Sequence, residues 1–280
     1  MPGFLSAPSA VLLALALILG LCMGSFCNNW AFRLSRGQSV TKGRSRCPHC
    51  GHTLGAPDLV PLFSYCFLRG RCRYCRDPIS PRYPLTELLM TAAYGSLLWR
   101  FDPVTQWPEL LRWAVLFPLF LVLALVDWET WELPDGLVLA GALWFAALVP
   151  FTGGLSALRD GLIGSVAIAG PVLVLVLIAD KLLGRETMGG GDIKLLAMLG
   201  LHLGASRMLL LLILASVLGI LFSLLPCAAP SADIEPGDED PLPESGRFRS
   251  IPFGPAILTA AWVTALFGNP LITWYTTTFF

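Results

Sequence analysis

Two aspartates at the ends of apolar segments are the residues of this sequence that suggest chemistry. Asp192 directly follows Gly189–Gly191 and precedes an apolar stretch, whereas Asp127 ends the apolar run Trp113–Val126. A carboxylate at the edge of hydrocarbon is energetically costly, which makes it a functional candidate. Three glycines permit close backbone approach and unusual φ/ψ angles. Two carboxyls at two membrane-helix ends are what hydrolysis by paired acids requires.

The aspartate pair has a structural interpretation beside the catalytic one. In hydrolysis by two acids, one carboxylate activates water while the other, still protonated, polarises the carbonyl, and their closeness keeps one proton shared. Only helix packing brings Asp127 and Asp192 together. Alternatively each caps a helix, which explains Asp192 but not Asp127, because the helix dipole disfavours an anion at a C-terminus. The glycines and Lys194 are expected to support the loop that carries Asp192.

Further acids follow in the segment Asp127-Trp128-Glu129-Thr130-Trp131-Glu132-Leu133-Pro134-Asp135. Such a cluster is either a solvated turn or, beside a catalytic site, a surface that receives a positively charged substrate. On the second interpretation Glu129, Glu132 and Asp135 are the candidate substrate-binding residues. Pro134-Asp135 also predicts the start of the next helix, so Asp135 has a structural alternative.

Two cysteine pairs, Cys47-Pro48-His49-Cys50 and Cys72-Arg73-Tyr74-Cys75, are separated by 21 residues. This spacing matches a four-thiolate zinc site, which is a closed and structural kind of centre. A loop of about fifty residues buries little core alone, and a structural metal compensates for this. His49 and His52 are either substitutes for a thiolate or surface histidines. The predicted Zn²⁺ ligands are Cys47, Cys50, Cys72 and Cys75.

The elements that must position these groups are membrane helices. Charged residues make up only 14% of the 280 residues and hydrophobic ones 55%, which excludes an ordinary soluble globule. We predict an all-α polytopic membrane protein, in contact with a lipid bilayer, with about eight transmembrane helices and a small zinc-ribbon-like cytoplasmic loop. The first segment is expected to stay in the membrane rather than be removed as a signal peptide. The eight apolar runs are Ala10–Phe26, Leu85–Leu98, Trp113–Val126, Leu137–Val149, Leu162–Ala179, Ile193–Leu203, Met208–Leu225 and Pro255–Phe267.

Charge is distributed unevenly although the formal net charge is zero. Ten of the 19 Lys and Arg residues lie between Arg33 and Arg82, against two acids. The positive-inside rule places this loop in the cytoplasm, and alternation of helices places Asp127 and Asp192 at the same face. Membrane topology and attraction to anionic lipid explain the positive charge of this loop, so no nucleic-acid partner is expected. The predicted organisation is a first transmembrane segment at 1–32, a cysteine-rich loop at 33–82 and a transmembrane core at 83–280, with a disordered acidic loop at 227–250.

Together these motifs resemble the type IV prepilin peptidases, membrane aspartyl enzymes of the GxGD class. Gly189-Gly190-Gly191-Asp192 matches the GxGD motif, and Asp127 with Leu133-Pro134-Asp135 resembles the other catalytic segment. The chain departs from the family at Asn29-Trp30-Ala31 and in the long 227–250 loop. The other signatures occur in the expected order over essentially the whole chain: Gly24-Ser25-Phe26-Cys27-Asn28, the two C-x-x-C pairs, Arg82-Tyr83-Pro84 with Glu87, and Ile251-Pro252-Phe253-Gly254-Pro255.

The resemblance implies a reaction, a cofactor and a partner. The enzyme would cut the short basic leader from prepilins of type IV pili or pseudopilins of type II secretion, after a glycine, at the cytoplasmic face of the bacterial inner membrane. Asp127 and Asp192 would be its catalytic pair. Family members often also methylate the new N-terminal residue with S-adenosylmethionine, and a cysteine-bearing first loop is typical of the bifunctional members. The sequence does not indicate an oligomeric state.

Two other classes of protein compete with this interpretation. A proton-coupled transporter would use intramembrane acids as a relay, and the many helices with Gly and Pro interruptions fit that class. However, Asp127 and Asp192 map to one membrane face rather than to a path through the midplane. A zinc-ribbon membrane scaffold would explain the cysteines but gives the aspartates no role.

Overall fold

A computed structural model of the protein describes residues 7–184, 187–224 and 252–279. These residues form α-helices, two short 3₁₀ turns and two isolated bridges, with no extended strand in the described ranges. The predicted all-α class is therefore confirmed, while the acidic loop predicted at 227–250 lies outside the described residues. The helices are α1 (Ala7–Leu34), α2 (Phe63–Phe67), α3 (Arg82–Arg100), α4 (Trp107–Thr130), α5 (Asp135–Leu148), α6 (Leu155–Leu183), α7 (Gly190–Leu224) and α8 (Gly254–Phe279).

Five of these helices, α1, α4, α6, α7 and α8, are long and apolar enough to cross a membrane. Helix α5 has only 14 residues, and its apolar stretch continues to Phe151 through a 3₁₀ turn. The runs Ile193–Leu203 and Met208–Leu225 fall on the two halves of α7, although Leu225 itself lies outside the described residues. The halves meet at Gly204, whose φ of 71° and ψ of 168° are not helical. Each of the eight predicted apolar runs thus corresponds to a helical segment.

Glycines on α1 and α7 set how closely the helices pack. A Cβ atom on Gly20 would lie 2.7 Å from the Cα of Thr91 on α3, and one on Gly200 would lie 2.5 Å from the Cα of Ser165 on α6. Since no side chain fits at either place, Gly20 and Gly200 serve helix packing.

Helix α4 is the central helix of the bundle, since it packs against α1, α3, α5 and α8. Side chains such as Trp113, Leu116 and Leu123 are fully buried along it. Helix α6 is different, because it packs mainly on α7 and leaves large apolar side chains such as Leu175 exposed. An exposed apolar helix of this kind suits contact with lipid. Asp127 is therefore carried by a helix that other helices enclose on several sides.

Candidate active site and metal centre

Asp127 and Asp192 line one open cavity of about 660 Å³ at the end of the bundle. Asp127 lies in the last turn of α4 and is 5% exposed, whereas Asp192 lies in the first turn of α7. The two carboxyls are close enough for the charge of Asp127 to act on Asp192. Helix packing thus joins two groups that the sequence separates widely, in a site that is partly desolvated and still open to a ligand.

A sharp turn ends α4 shortly after Asp127 and leads into the connector to α5. Trp131 adopts a left-handed conformation (φ 59°, ψ 18°) and donates its N–H to the carbonyl of Asp127 at 3.0 Å. This reversal ends α4. The connector then reaches Pro134, and α5 begins at Asp135, which confirms the predicted helix start. The connector residues Trp131 to Pro134 form one wall of the cavity.

Gly254 is a site residue to which sequence reasoning gave no role. Its backbone N–H donates to Oδ2 of Asp127 at 3.0 Å, in a buried contact at the start of α8. A Cβ atom on Gly254 would collide with the same carboxyl oxygen. The N-terminus of a helix favours negative charge, so α8 stabilises the anionic form of Asp127. The sequence feature that could have identified Gly254 is its position in the signature 251–255, as a glycine at the start of a helix.

The three glycines before Asp192 differ in what surrounds them. None of them has a positive φ, so the left-handed backbone that glycine permits is not used here. A Cβ on Gly191 would lie 3.1 Å from Cβ of Leu133 in the connector, whereas one on Gly190 would meet open space. A Cβ on Gly189 would have only Oδ2 of Asp192 at 4.0 Å. Close approach therefore explains Gly191 alone, because it lets α7 begin directly against the connector that follows α4.

Glu129 is already paired within the protein. Its carboxylate accepts hydrogen bonds from the guanidinium of Arg82 and the hydroxyl of Ser35, and Nη1 of Arg36 lies 3.6 Å away. Ser35 and Arg36 stand where the cysteine loop leaves α1, and Arg82 stands where the loop enters α3. Glu129 therefore ties both ends of the loop to α4, two residues beyond Asp127.

The other two acids of the cluster have different surroundings. Nζ of Lys194 lies 2.8 and 2.9 Å from the carboxylate oxygens of Asp135, so this exposed pair links the start of α7 to the start of α5. The side chain of Glu132 is exposed and has no ion pair or hydrogen-bond partner among the described residues. Glu132 and Asp135 line the cavity whereas Glu129 does not, and of the three acids Glu132 alone presents a carboxylate without a partner there.

The four predicted ligand cysteines come together in the loop between α1 and α3. The Sγ atoms of Cys47, Cys50, Cys72 and Cys75 all lie within 4.8 Å of one another, and those of Cys47 and Cys75 are 3.8 Å apart. Backbone N–H groups of Cys75 and Tyr74, together with the neighbouring thiols, lower the pKa of the Cys72 thiol to about 7. This favours the thiolate form that binds metal. The cluster can hold one metal ion.

The two cysteine turns have the same backbone pattern. The N–H of Cys47 donates to the carbonyl of His52 and that of Cys72 to the carbonyl of Asp77. Gly51 and Arg76, each next to the second cysteine of its pair, have positive φ values of 68° and 64°. His52 packs on the ring of Tyr74, with ring centroids 3.6 Å apart, so it does not serve as a ligand. The matched turns bring both pairs to one centre.

Two contacts fix the loop around this centre. The guanidinium of Arg73 lies 2.6 Å from Asp58 and lowers the pKa of that carboxyl below its usual range. The N–H of Leu62 donates to the buried carboxylate of Glu87 on α3 at 2.7 Å. Glu87 therefore anchors the middle of the loop, whereas Glu129 anchors its ends.

Comparison with known proteins places these features in a family context. A family model described as the bacterial peptidase A24 N-terminal domain matches residues 18–101, and one described as the type IV leader peptidase family matches residues 114–224. The first match includes all four clustered cysteines, and the second includes both aspartates. No solved structure gives a significant match.

Three curated relatives share the name prepilin leader peptidase/N-methyltransferase. The protein of that name from Myxococcus xanthus is 37% identical over 258 residues, which cover 89% of this chain and 75% of the relative. The one from Aeromonas hydrophila is 38% identical over 240 residues, covering 84% and 76%. The one from Burkholderia pseudomallei is 34% identical over 298 aligned residues, covering 96% and 89%.

Proposed function

This chain belongs to the type IV leader peptidase family, and we propose that it removes the short basic leader from type IV prepilins or type II secretion pseudopilins. It is a multi-pass membrane protein, and we propose that its site faces the cytoplasm at the bacterial inner membrane, as the basic loop favours. The observation that carries the proposal is that Asp127 and Asp192 line the same open cavity.

In the proposed mechanism the two carboxyls share one proton. Asp127, which accepts the N–H of Gly254 at the N-terminus of α8, is the ionised member and takes a proton from the attacking water. Asp192 keeps its proton and donates a hydrogen bond to the scissile carbonyl. The tetrahedral intermediate then collapses, and the proton held by Asp127 passes to the leaving amine.

The acids around the cavity support a role in receiving the basic leader. A substrate of this class presents its cleavage site at the membrane edge while its apolar helix stays in the bilayer. Glu132 has an unpaired exposed carboxylate and is the most direct partner for a leader Lys or Arg. Glu129 and Asp135 are also proposed to contribute to this negative field, although each already has a cationic partner.

We propose that the metal of the cysteine cluster is zinc and that its role is structural. In a tetrahedron with Zn–S bonds of about 2.3 Å, sulfur atoms are about 3.8 Å apart, which agrees with the Cys47–Cys75 separation of 3.8 Å. Four thiolates leave no open coordination position, so this metal would take no part in the hydrolysis. Its effect would be to hold the loop that Glu129 and Glu87 fasten to α4 and α3.

The name of the relatives also includes a methyltransferase, and we propose this second activity for the present chain. S-adenosylmethionine, when bound, supplies the methyl group. The amine that accepts it arises at the aspartate pair, and we propose that the donor binds at the same end of the bundle. A cavity of about 660 Å³ is within the range of about 300–1,000 Å³ usual for sites that enclose small ligands.

Incubation of the purified protein in detergent with a prepilin tests both activities by intact mass. We expect a product shortened by the leader in every reaction, and a further mass increase of one methyl group only when S-adenosylmethionine is added. A substrate left uncut by an enzyme that has kept its metal would contradict the peptidase proposal. It would instead favour the transporter interpretation, which proton flux in vesicles would then measure.

A further inference from the structure

Three arginines that are scattered in the sequence converge at the end of the bundle opposite the aspartates. Arg100 ends α3, Arg112 lies in the first turns of α4, and Arg207 follows the kink of α7. Arg100 and Arg207 both lie against α8, at Leu266 and Gly268, and Arg207 is close enough to the other two guanidiniums for their charges to act on it. Arg112 and Asp127 are 15 residues apart on α4, or roughly 22 Å at about 1.5 Å per residue. The cluster is thus well separated from the aspartate cavity.

Backbone carbonyls hold two of the arginines in place. Nε of Arg100 donates to the carbonyl of Leu266 on α8 at 2.8 Å, and Nε of Arg207 donates to the carbonyl of Leu203 at 2.7 Å. Gly268 packs against the stem of Arg207, since a Cβ there would lie 3.2 Å from its Cδ. Both side chains are half-buried. Their Nε atoms are therefore fixed, whereas their terminal amino groups keep some exposure to solvent.

The cluster carries more positive charge than its surroundings neutralise. Glu109 is the acid that meets it, with an oxygen 3.0 Å from Nη1 of Arg112. Arg112 is only 5% exposed, and its Nε is buried without a hydrogen-bond partner. Among the residues that the structure describes, the terminal amino groups of Arg100 and Arg207 have no hydrogen-bonding partner either. Three guanidiniums share one carboxylate, and charges removed from water require compensation.

Two tryptophans indicate where this end of the bundle lies relative to the membrane. Trp99 precedes Arg100 and Trp107 begins α4, and both side chains are exposed, by 52% and 44%. Exposed tryptophans at helix ends are typical of the membrane–water interface, at the depth of lipid headgroups. The planar fork of an arginine suits a phosphate group, which it binds through paired N–H donors.

We propose that Arg100 and Arg207 form a binding site for a phosphate-bearing anion at the end of the bundle opposite the aspartate pair. The phosphate would lie between the two guanidiniums, accept hydrogen bonds from their terminal amino groups and neutralise the excess charge. It is supplied either by the headgroup of an anionic phospholipid or by free phosphate. The bound anion would join α3, α7 and α8, on which the arginines and their carbonyl partners lie.

Thermal unfolding of the delipidated full-length protein, followed by tryptophan fluorescence, tests the site. Phosphatidylglycerol, phosphatidylcholine and inorganic phosphate are titrated separately, and native mass spectrometry counts the bound lipid. We expect phosphatidylglycerol to raise the Tm in a saturable manner and phosphatidylcholine to leave it unchanged. A response to inorganic phosphate as well would identify free phosphate as a sufficient ligand. The proposal would be overturned if neither phosphatidylglycerol nor phosphate raised the Tm and neither was found bound.

Three variants separate this site from general surface charge. Arg100→Gln with Arg207→Gln should weaken phosphatidylglycerol binding about tenfold or more, because charge-assisted hydrogen bonds are lost. Arg159→Gln is the matched control, since Arg159 is exposed on α6 and outside the cluster. Arg100→Lys with Arg207→Lys keeps the charge and should retain part of the binding. Equal losses in the double Gln variant and the Arg159 control would contradict the site. Leader cleavage in detergent checks that each variant is folded.

Discussion

The two ends of α4 carry buried charges of opposite sign, and their surroundings differ. At one end Asp127 meets a backbone N–H and a second aspartate beside an open cavity. At the other end Arg112 meets a glutamate, and Arg207 is close enough to Arg112 and Arg100 for their charges to act on it. At the acidic end α7 and α8 provide the remaining groups, whereas at the basic end α3 and α7 provide the other two arginines. Helices α4 and α7 therefore take part in gathering like charges at both ends of the bundle.

This comparison separates two ways in which a membrane protein accommodates like charges. Two carboxyls reduce their repulsion by sharing a proton, which is the property that acid–base chemistry uses. Arginines do not lose their protons under ordinary conditions, so their repulsion requires an anion. The acidic end therefore suits catalysis, and the basic end suits binding.

The strongest test of the acidic end is removal of either carboxyl. Asp127→Asn and Asp192→Asn should each lower cleavage by at least about 10²–10⁴-fold, because an amide neither shuttles a proton nor activates water. The measurement is the rate of leader removal from a prepilin by intact mass. Asp160→Asn, on the exposed surface of α6, is the control and should cleave normally. Near-normal cleavage by either variant of the pair would remove that residue from the mechanism.

The next largest effect is expected at Gly254. Gly254→Ala introduces a Cβ into the carboxyl of Asp127, which displaces the carboxyl and its N–H donor. We expect a loss of about 10²-fold or more in kcat, since a small misplacement of a reacting group has effects of that size. Gly136→Ala provides the matched control, because a Cβ on Gly136, at the start of α5, meets open space. Equal activity of the two variants would show that the Gly254 contact does not position Asp127.

Removal of the metal should disturb the acidic end and leave the arginine end intact. Cys72→Ser is expected to lose zinc and to loosen the loop that Glu129 ties to α4, so cleavage should weaken while both carboxyls remain. Elemental analysis gives the metal content, and hydrogen exchange compares the two ends. Cys66→Ser, an exposed thiol of the same loop outside the cluster, is the control. Intact purified protein with four reduced thiols and no metal would refute the zinc assignment.

The smallest expected effect concerns the acids at the cavity. Glu132→Gln should raise the KM for a basic leader up to about fivefold with kcat little changed, most visibly at low salt, since an exposed ion pair contributes only about 0.2–1 kcal/mol.

Glu129→Gln alone should behave differently, because Glu129 binds Arg82 and Ser35. We expect it to increase hydrogen exchange in the cysteine loop, which Glu132→Gln should leave unchanged. If neither variant changes KM in a salt-dependent way, the acids form only a solvated turn.

Hydrophobic runs and local motifs in the sequence were enough to predict the helices, the cysteine cluster and the start of α5. Apolar segments separated by Gly, Pro and charged residues predicted the helices, because the bilayer demands internal backbone hydrogen bonding. The cysteine spacing predicted the four-thiolate cluster, since two short C-x-x-C turns bring their own ligands together. The start of α5 at Asp135 was likewise a local property of Pro134 and Asp135.

Tertiary structure alone decided which distant groups meet. Nothing local to Asp127 indicates that Gly254 donates to it, nor that Glu129 ties both ends of the cysteine loop to α4. Arg100, Arg112 and Arg207 looked scattered in the sequence, yet packing of α3, α4 and α7 gathers them into one cluster. The physical reason is that helix formation depends on neighbouring residues, whereas helix contacts depend on side-chain volumes along whole faces, such as the glycines that bring α1 to α3 and α7 to α6.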